Sequence, residues 1–225
     1  MNARDPRAAP PAPTAAELTA ALPRPAADWL ARARDGVRAD PRAVDALFAV
    51  AARRCGRAVL STGAAAGAGW SVDDAVRALL LVALPLRATG LAAVAARLYR
   101  TGGAAERRAV LRSLPLLDTA GDLGDRGLPM VEDAVRSNDL RLIAAALGPY
   151  GGRRLAAPAF RQAVLKCVFV GVPLAEVAGV DERADAELDR MMADFAYERR
   201  AAAREVPPDV LEYLHIHPVP TEATA

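Results

Sequence analysis

The chain has 225 residues, of which 53% are hydrophobic but only 4% aromatic, and its formal net charge is +2. Alanine, leucine and arginine dominate the composition, and because all three are strong helix formers an all-α protein is expected. A basic stripe with interleaved aromatic residues is missing from the sequence, which argues against nucleic-acid binding.

Both ends of the chain differ in composition from the middle. Residues 1–13 are rich in proline and alanine, so we expect them to be disordered, and 215–225 are expected to form a flexible tail. Residues 14–214 are expected to form a single helical domain. No apolar run is long enough to span a bilayer, and residues 1–18 lack the continuous apolar segment of a signal peptide. We therefore expect a soluble cytoplasmic protein.

Apolar residues at helical spacing alternate with short glycine- and proline-containing breaks. This pattern predicts helices over residues 14–22, 26–38, 41–55, 71–85, 89–100, 104–114, 126–137, 139–147, 158–170, 184–203 and 207–214. Ser71 is the predicted N-cap of the helix 71–85, and Asp74 is predicted to complete a capping box with it. From Ala78 onward this helix is apolar on every face, which predicts burial on all sides. Residues 61–69, "STGAAAGAG", are interpreted as a flexible linker.

Four apolar runs are each closed by a proline, at Pro85, Pro115, Pro149 and Pro173. Proline ends a helix because it lacks an N–H and clashes with the preceding turn. The roughly regular spacing of these runs predicts stacked helix pairs, in the form of an irregular HEAT-like α-solenoid. A helical bundle of stacked helix pairs is the alternative architecture.

The sequence has a single lysine, Lys166, among 29 basic side chains, and a single glutamine, Gln162. Both lie on one face of the helix 158–170, with apolar residues on either side, so the ammonium is predicted to face inward. Lysine is a compact charge whereas arginine is a planar fork, which suggests a cavity sized for an ammonium.

Two arginines also lie beside apolar faces. Arg199 lies within a stripe of leucine, methionine and phenylalanine on the helix 184–203, with Glu198 next to it, and Arg77 lies on the helix 71–85. A buried arginine requires an acidic partner, because an unpaired charge in the core is costly. These groups are interpreted either as structural ion pairs between helices or as the lining of a pocket for an anionic small molecule.

The sequence offers no catalytic or metal centre. It contains no nucleophile–base motif, and we predict no catalytic residues. Cys55 and Cys167 lack the spacing of a zinc site or a disulfide framework, and His215 and His217 have no third ligand nearby. We therefore predict no metal and no cofactor.

Six segments carry a resemblance to a known family. They are "WSVDDAVRALLLVALP" at 70–85, "LPLL" at 114–117, "RSN" at 136–138, "GPY" at 148–150, "AFRQAVLKCVF" at 159–169 and "GVDERADAELDRMMADFAYERRAAA" at 179–203. In this order and spacing the sequence resembles the EboA domain family, encoded in the bacterial ebo gene cluster, over about residues 29–214. The rare residues Asn138, Gln162 and Lys166 all fall on these segments.

The sequence departs from the family pattern at three places. Gly148 and Tyr197 replace an asparagine and a histidine, and Phe160-Arg161 replaces a Trp-Asn pair. If that asparagine and histidine were catalytic in the family, this chain would be inactive or altered.

The resemblance implies a part in making or exporting a small secreted metabolite. The family's genes cluster with those of prenyltransferase-like, sugar-phosphate isomerase-like and hydrolase-like proteins, which would be the partners. We hypothesise a non-enzymatic helical-repeat scaffold or adaptor for that pathway. The alternative is an enzyme or carrier that binds an anionic intermediate at Lys166, Gln162, Arg77, Asn138 and Tyr150.

Overall fold

The computed structural model describes residues 12–60 and 69–218, and these form twelve α-helices. The helices are α1 (Ala15–Ala21), α2 (Arg24–Ala39), α3 (Val44–Cys55), α4 (Val72–Val82), α5 (Ala88–Thr101), α6 (Ala104–Gly121), α7 (Leu128–Arg136), α8 (Leu140–Ala146), α9 (Pro149–Arg154), α10 (Ala157–Val170), α11 (Ala186–Ala201) and α12 (Pro208–Ile216). The described ranges contain no strand, only an isolated bridge between Val59 and Ser71. The all-α prediction is confirmed.

Helices α4 and α6 lie at the centre of the fold. Helix α4 packs against α1, α2, α3 and α6, whereas α6 packs against α4, α5, α8 and α9. As a result α2, α4, α6, α8 and α10 contact one another in chain order, and α11 covers α10 and contacts α12. Stacked helix pairs produce contacts in this order. The HEAT-like repeat itself stays a prediction.

Helix α4 is buried along almost its whole length. Every residue from Val72 to Leu81 is buried, as the sequence predicted for its apolar part. The predicted N-cap is also confirmed, because the Ser71 hydroxyl accepts the N–H of Asp74 at 3.4 Å. The Asp74 carboxylate does not return to the cap as a capping box requires, and it binds arginines of α6 instead.

One of the four prolines does not end a helix. Pro85, Pro149 and Pro173 follow the ends of α4, α8 and α10 as predicted, and Pro149 also begins α9, but Pro115 lies inside α6. Helix α6 continues through Pro115 because residues on both sides of it, Leu114 and Leu117 among them, are fully packed in the core. Tertiary packing here outweighs the local cost of an internal proline.

Helix α9 was not predicted from the sequence, and its six residues include two glycines. A Cβ atom on Gly151 would lie 2.0 Å from the carbonyl oxygen of Ala146, and one on Gly152 would lie 2.2 Å from that of Ala178. Glycine is therefore required at both positions because backbone passes directly against the helix. In the sequence the same glycines looked like breaks between helices.

The described ranges include only part of the predicted chain ends and of the predicted linker. Residues 1–11, most of the predicted linker (61–68) and residues 219–225 lie outside them. Helix α12 runs to Ile216, so its last turn includes His215, where the predicted tail begins. Within the described ranges, none of the helices combines the length and the apolar character that crossing a bilayer demands.

Candidate functional site

A cleft of about 640 Å³ opens where four parts of the fold meet. Its walls are the start of α4, one face of α6, the first turns of α8 and the loop that follows α10. We call it the arginine cleft, after the charged residues among those that line it: Arg57, Asp73, Asp74, Arg108, Arg112, Arg141 and Glu176. Its size falls within the range of small-molecule sites.

One end of the cleft rests on a buried ion pair within α4. Arg77 Nη1 donates to Asp73 Oδ2 at 2.6 Å, and the two side chains are only 3% and 1% exposed. The same guanidinium donates from Nε to the Phe48 carbonyl of α3 at 3.0 Å and lies over the Phe48 ring. The other Asp73 oxygen accepts the Ser71 hydroxyl at 2.7 Å. Both charges of this pair are therefore compensated away from water.

A second buried acid, Asp74, is held by two arginines of α6. Arg108 donates to it from Nε at 2.9 Å and from Nη2 at 3.2 Å, in the two-pronged geometry that guanidinium and carboxylate favour. Arg112 lies 3.5 Å from Asp74 Oδ2 and donates to the carbonyl of Gly69 at 2.8 Å. Burial lowers the pKa of the Arg112 guanidinium, and the nearby Asp74 charge opposes that shift. The pair of arginines ties α6 to the start of α4.

The remaining charges lie at the rim. Arg57 is exposed, and Arg141 pairs with Asp139 at 3.0 Å at the start of α8. Glu176, in the loop after α10, is half-buried and close enough to Arg112 to act on its pKa. Within the described part of the chain the lining contains guanidinium, carboxylate and hydroxyl groups but no histidine or cysteine.

None of the sequence-predicted site residues lines the arginine cleft. Arg77 belongs to the buried pair beneath the cleft, whereas Gln162 is exposed on α10 and Asn138 is exposed between α7 and α8. Tyr150 is buried, and its hydroxyl donates to the Gly124 carbonyl at 2.5 Å and accepts the N–H of Gly127 at 3.0 Å. Burial raises the pKa of the Tyr150 phenol, which fits this structural role.

Lys166 closes the end of a neighbouring helix. Its ammonium donates to the carbonyls of Val135 at 2.5 Å and Ser137 at 2.7 Å, at the C-terminus of α7. Helix C-termini present unpaired carbonyls and partial negative charge, so a cation is favoured there. The side chain is half-buried, and both of these partners are backbone groups rather than a carboxylate.

Arg199 differs from the expectation of a buried arginine paired with an acid. It is half-buried, its Nε donates to the Glu205 carbonyl at 2.7 Å, and Glu198 beside it is exposed. The apolar stripe of α11 ends near this position, and the chain beyond α11 supplies the carbonyl. A backbone carbonyl therefore takes the place of the acid that the sequence pattern suggested.

The two arginines of α6 were not predicted as site residues. Arg108 and Arg112 stand four residues apart, which places them on one face of a helix. Of the two acids in the first turn of α4, Asp74 was predicted only as the capping-box partner of Ser71. The sequence feature that could have indicated an ion pair with these arginines is the pair of adjacent acids at the start of a helix that is otherwise buried.

One comparison with known proteins gives a match. The profile of the family described as "Metabolite traffic protein EboA" matches residues 45–215, which include the two buried acids, the arginines of α6 and Lys166. Among curated proteins nothing matches the chain, and no solved structure matches it. The matched range covers more than half of the chain and all six segments that carried the resemblance. The chain therefore belongs to the EboA family.

Proposed function

We propose that this chain is a non-enzymatic protein that holds a small metabolite in the arginine cleft and so supports a metabolite pathway. The description of its family as a metabolite traffic protein agrees with this role. The single observation that carries the proposal is the cleft of about 640 Å³, walled by buried charges that are already paired with one another.

The pairing favours binding over catalysis. A general acid or base has to exchange a proton with its substrate, but Asp73 and Asp74 are each engaged by an arginine. The Ser71 hydroxyl donates to Asp73 and has no histidine beside it in the described lining. Rigid, paired side chains of this kind shape a cavity and orient polar groups of a ligand.

Filling the cleft tests the proposal. Ala144 lines the cleft from α8, so Ala144→Phe places a ring in it, whereas Ala193→Phe adds the same ring on α11 outside the cleft. Wild-type and variant proteins are incubated with a small-molecule extract of cells, washed, and denatured, and the released compounds are identified by mass spectrometry. We expect a compound retained by wild type and Ala193→Phe but lost from Ala144→Phe. Equal retention by all three, or none by wild type, contradicts the proposal.

The adaptor function is a second candidate, supported by an exposed aromatic residue. Phe169 is 62% exposed at the end of α10, where its ring meets Phe195 edge-on at 4.9 Å. Val170 next to it is exposed as well, and contiguous exposed apolar side chains mark contact surfaces. We propose that one of the prenyltransferase-like, isomerase-like or hydrolase-like proteins of the pathway docks there. Co-purification of each with wild type but not with Phe169→Ser supports this candidate, and equal recovery contradicts it.

A further inference from the structure

Two guanidinium groups share one carboxylate at the wall of the arginine cleft. Arg108 Nε lies 2.9 Å from Asp74 Oδ2, and Arg112 Nη1 lies 3.5 Å from the same oxygen. Asp74 is completely buried, whereas the side chains of Arg108 and Arg112 are 19% and 18% exposed. Asp74 is the carboxylate that both guanidinium groups contact, and Glu176 and Asp73 act on Arg112 from farther away. The two partly exposed guanidinium groups therefore present positive charge to the cleft beside these acids.

These arginines also have hydrogen-bond donors to spare. A guanidinium carries five N–H groups. Arg108 uses Nε and Nη2 on Asp74 and Ser71, and its Nη1 makes no hydrogen bond to the described residues. Arg112 donates from Nη1 to the Gly69 carbonyl, and its Nη2 likewise makes none within the described ranges. Donors of this geometry match the oxygen atoms of carboxylate and phosphate groups.

The rim adds one arginine that has no ion-pair partner among the described residues, and one acid. Arg57 is exposed at the mouth, whereas the charge of Arg141 is balanced by Asp139. Glu176 reduces the attraction for a simple anion. It can also accept a hydrogen bond from a hydroxyl or amino group of a larger ligand, because an ionised carboxylate is an acceptor only.

We propose that the arginine cleft recognises the oxyanion group, phosphoryl or carboxyl, of a small polar metabolite. Arg108 and Arg112 bind the oxygen atoms, Arg57 attracts the anion from the rim, and Glu176 accepts a donor on the rest of the molecule. This inference rests on the proposed metabolite-holding function and names the chemical class of the ligand. It places the anion at the wall formed by α4 and α6 and not at Lys166, whose ammonium is engaged by the end of α7.

The test uses pyrophosphate and citrate as probes, titrated into the purified protein at low ionic strength by calorimetry. Arg57→Gln removes an exposed charge of the cleft, and Arg53→Gln removes an exposed charge of α3 that does not line it. We expect Arg57→Gln to weaken binding about two- to five-fold, as for a partly exposed charge pair, and Arg53→Gln to leave it unchanged. Glu176→Gln should tighten binding by a similar factor. Binding should weaken with added salt.

A variant at the binding wall sharpens the test. Arg112→Met removes one of the two proposed anion contacts, while Arg108 keeps Asp74 paired. We expect a loss of roughly ten-fold or more in probe affinity, the scale of a charge-assisted hydrogen bond. Circular dichroism checks that Arg112→Met is folded. If this variant does not fold, the binding measurement on Arg57→Gln tests the proposal instead.

The outcomes separate the two proposals. Tighter binding of pyrophosphate supports a phosphoryl ligand, and tighter binding of citrate supports a carboxyl ligand. Absence of binding for both probes, or equal effects of Arg57→Gln and Arg53→Gln, overturns the oxyanion assignment. If a compound is still retained by wild type and lost from Ala144→Phe, the metabolite-holding function stands and its ligand is neutral or cationic. If no compound is retained, the function itself fails.

Discussion

The ammonium of Lys166 lies 2.7 Å from the carbonyl oxygen of Ser137, the residue that caps the C-terminus of α7. The second group to which the ammonium donates is also a backbone carbonyl, that of Val135, rather than a carboxylate. The one lysine of the chain thus fastens α10 to the end of another helix. A tetrahedral ammonium can point separate N–H groups at carbonyls that diverge, whereas the donors of arginine lie in one plane.

Replacing this lysine should weaken the fold. Lys166→Met keeps the apolar stem but leaves two half-buried carbonyls without the ammonium, so we expect a loss of about 1.5–3 kcal/mol in the free energy of unfolding. Urea unfolding measures it. Gln162→Ala, an exposed change on the preceding turn of α10, should stay within about 0.5 kcal/mol of wild type. If both variants match wild type, Lys166 is not a structural cap.

Replacing Asp74, the buried acid of the cleft, should lower the free energy of unfolding more than replacing Lys166 does. Asp74→Asn removes the charge that compensates Arg108 and Arg112, and breaking a buried ion pair costs roughly 3–5 kcal/mol. The control is Asp194→Asn, which breaks an exposed pair with Arg190 and should cost no more than about 1 kcal/mol. Chemical unfolding measures the loss of unfolding free energy in each variant. Equal losses would show that the ion pairs of Asp74 stabilise the fold no more than an exposed pair does.

Two glycine-to-alanine changes should have opposite effects. Gly152→Ala in α9 would bring a Cβ within 2.2 Å of the Ala178 carbonyl oxygen, so backbone must shift and thermal stability should fall by several degrees. Gly90→Ala in α5 meets only Leu86 at an ordinary 3.7 Å. It should raise stability by about 0.5–1 kcal/mol, because alanine is the better helix former. A stabilised Gly152→Ala protein would contradict the close approach of α9 to Ala178.

The free energy of unfolding should decline as the pH rises above 9. Burial raises the pKa of the Cys167 thiol from 9.0 to about 12, so above pH 9 the folded chain retains a proton that the unfolded chain releases. Stability contributed by this group is complete below pH 9 and is lost as pH rises toward 12, by at most about 1.4 kcal/mol per pH unit. Urea unfolding between pH 8 and pH 10.5 should show a shallower decline for Cys167→Ala. Equal slopes would contradict the assignment.

The helices of this fold could be predicted because their causes are local. Ser71 caps α4, and the apolar run after Ala78 requires burial on every side, so both features were visible in the sequence. Pro115 was misinterpreted because its tolerance inside α6 depends on Leu114 and Leu117 being packed by other helices. Sequence periodicity carries no information about those neighbours.

The candidate site could be predicted only in part because its contacts are long-range. Lys166 was noted as unusual on the apolar face of α10, but the ammonium binds backbone carbonyls at the end of α7, which residue types do not indicate. Asp74 and Arg108 are 34 positions apart, so only the packing of α4 on α6 brings them together. The residue types show which charged side chains lie beside apolar faces. Only the tertiary structure shows which groups those charges contact.

The order in which the charged groups are synthesised has a consequence for biogenesis. A ribosome produces α4, with Asp73 and Asp74 in its first turn, before it produces Arg108 and Arg112. Until α6 emerges, Asp74 lacks the two arginines that pair with it in the folded chain, and burying its charge without them is costly. The start of α4 should therefore become buried only after α6 has left the exit tunnel of the ribosome.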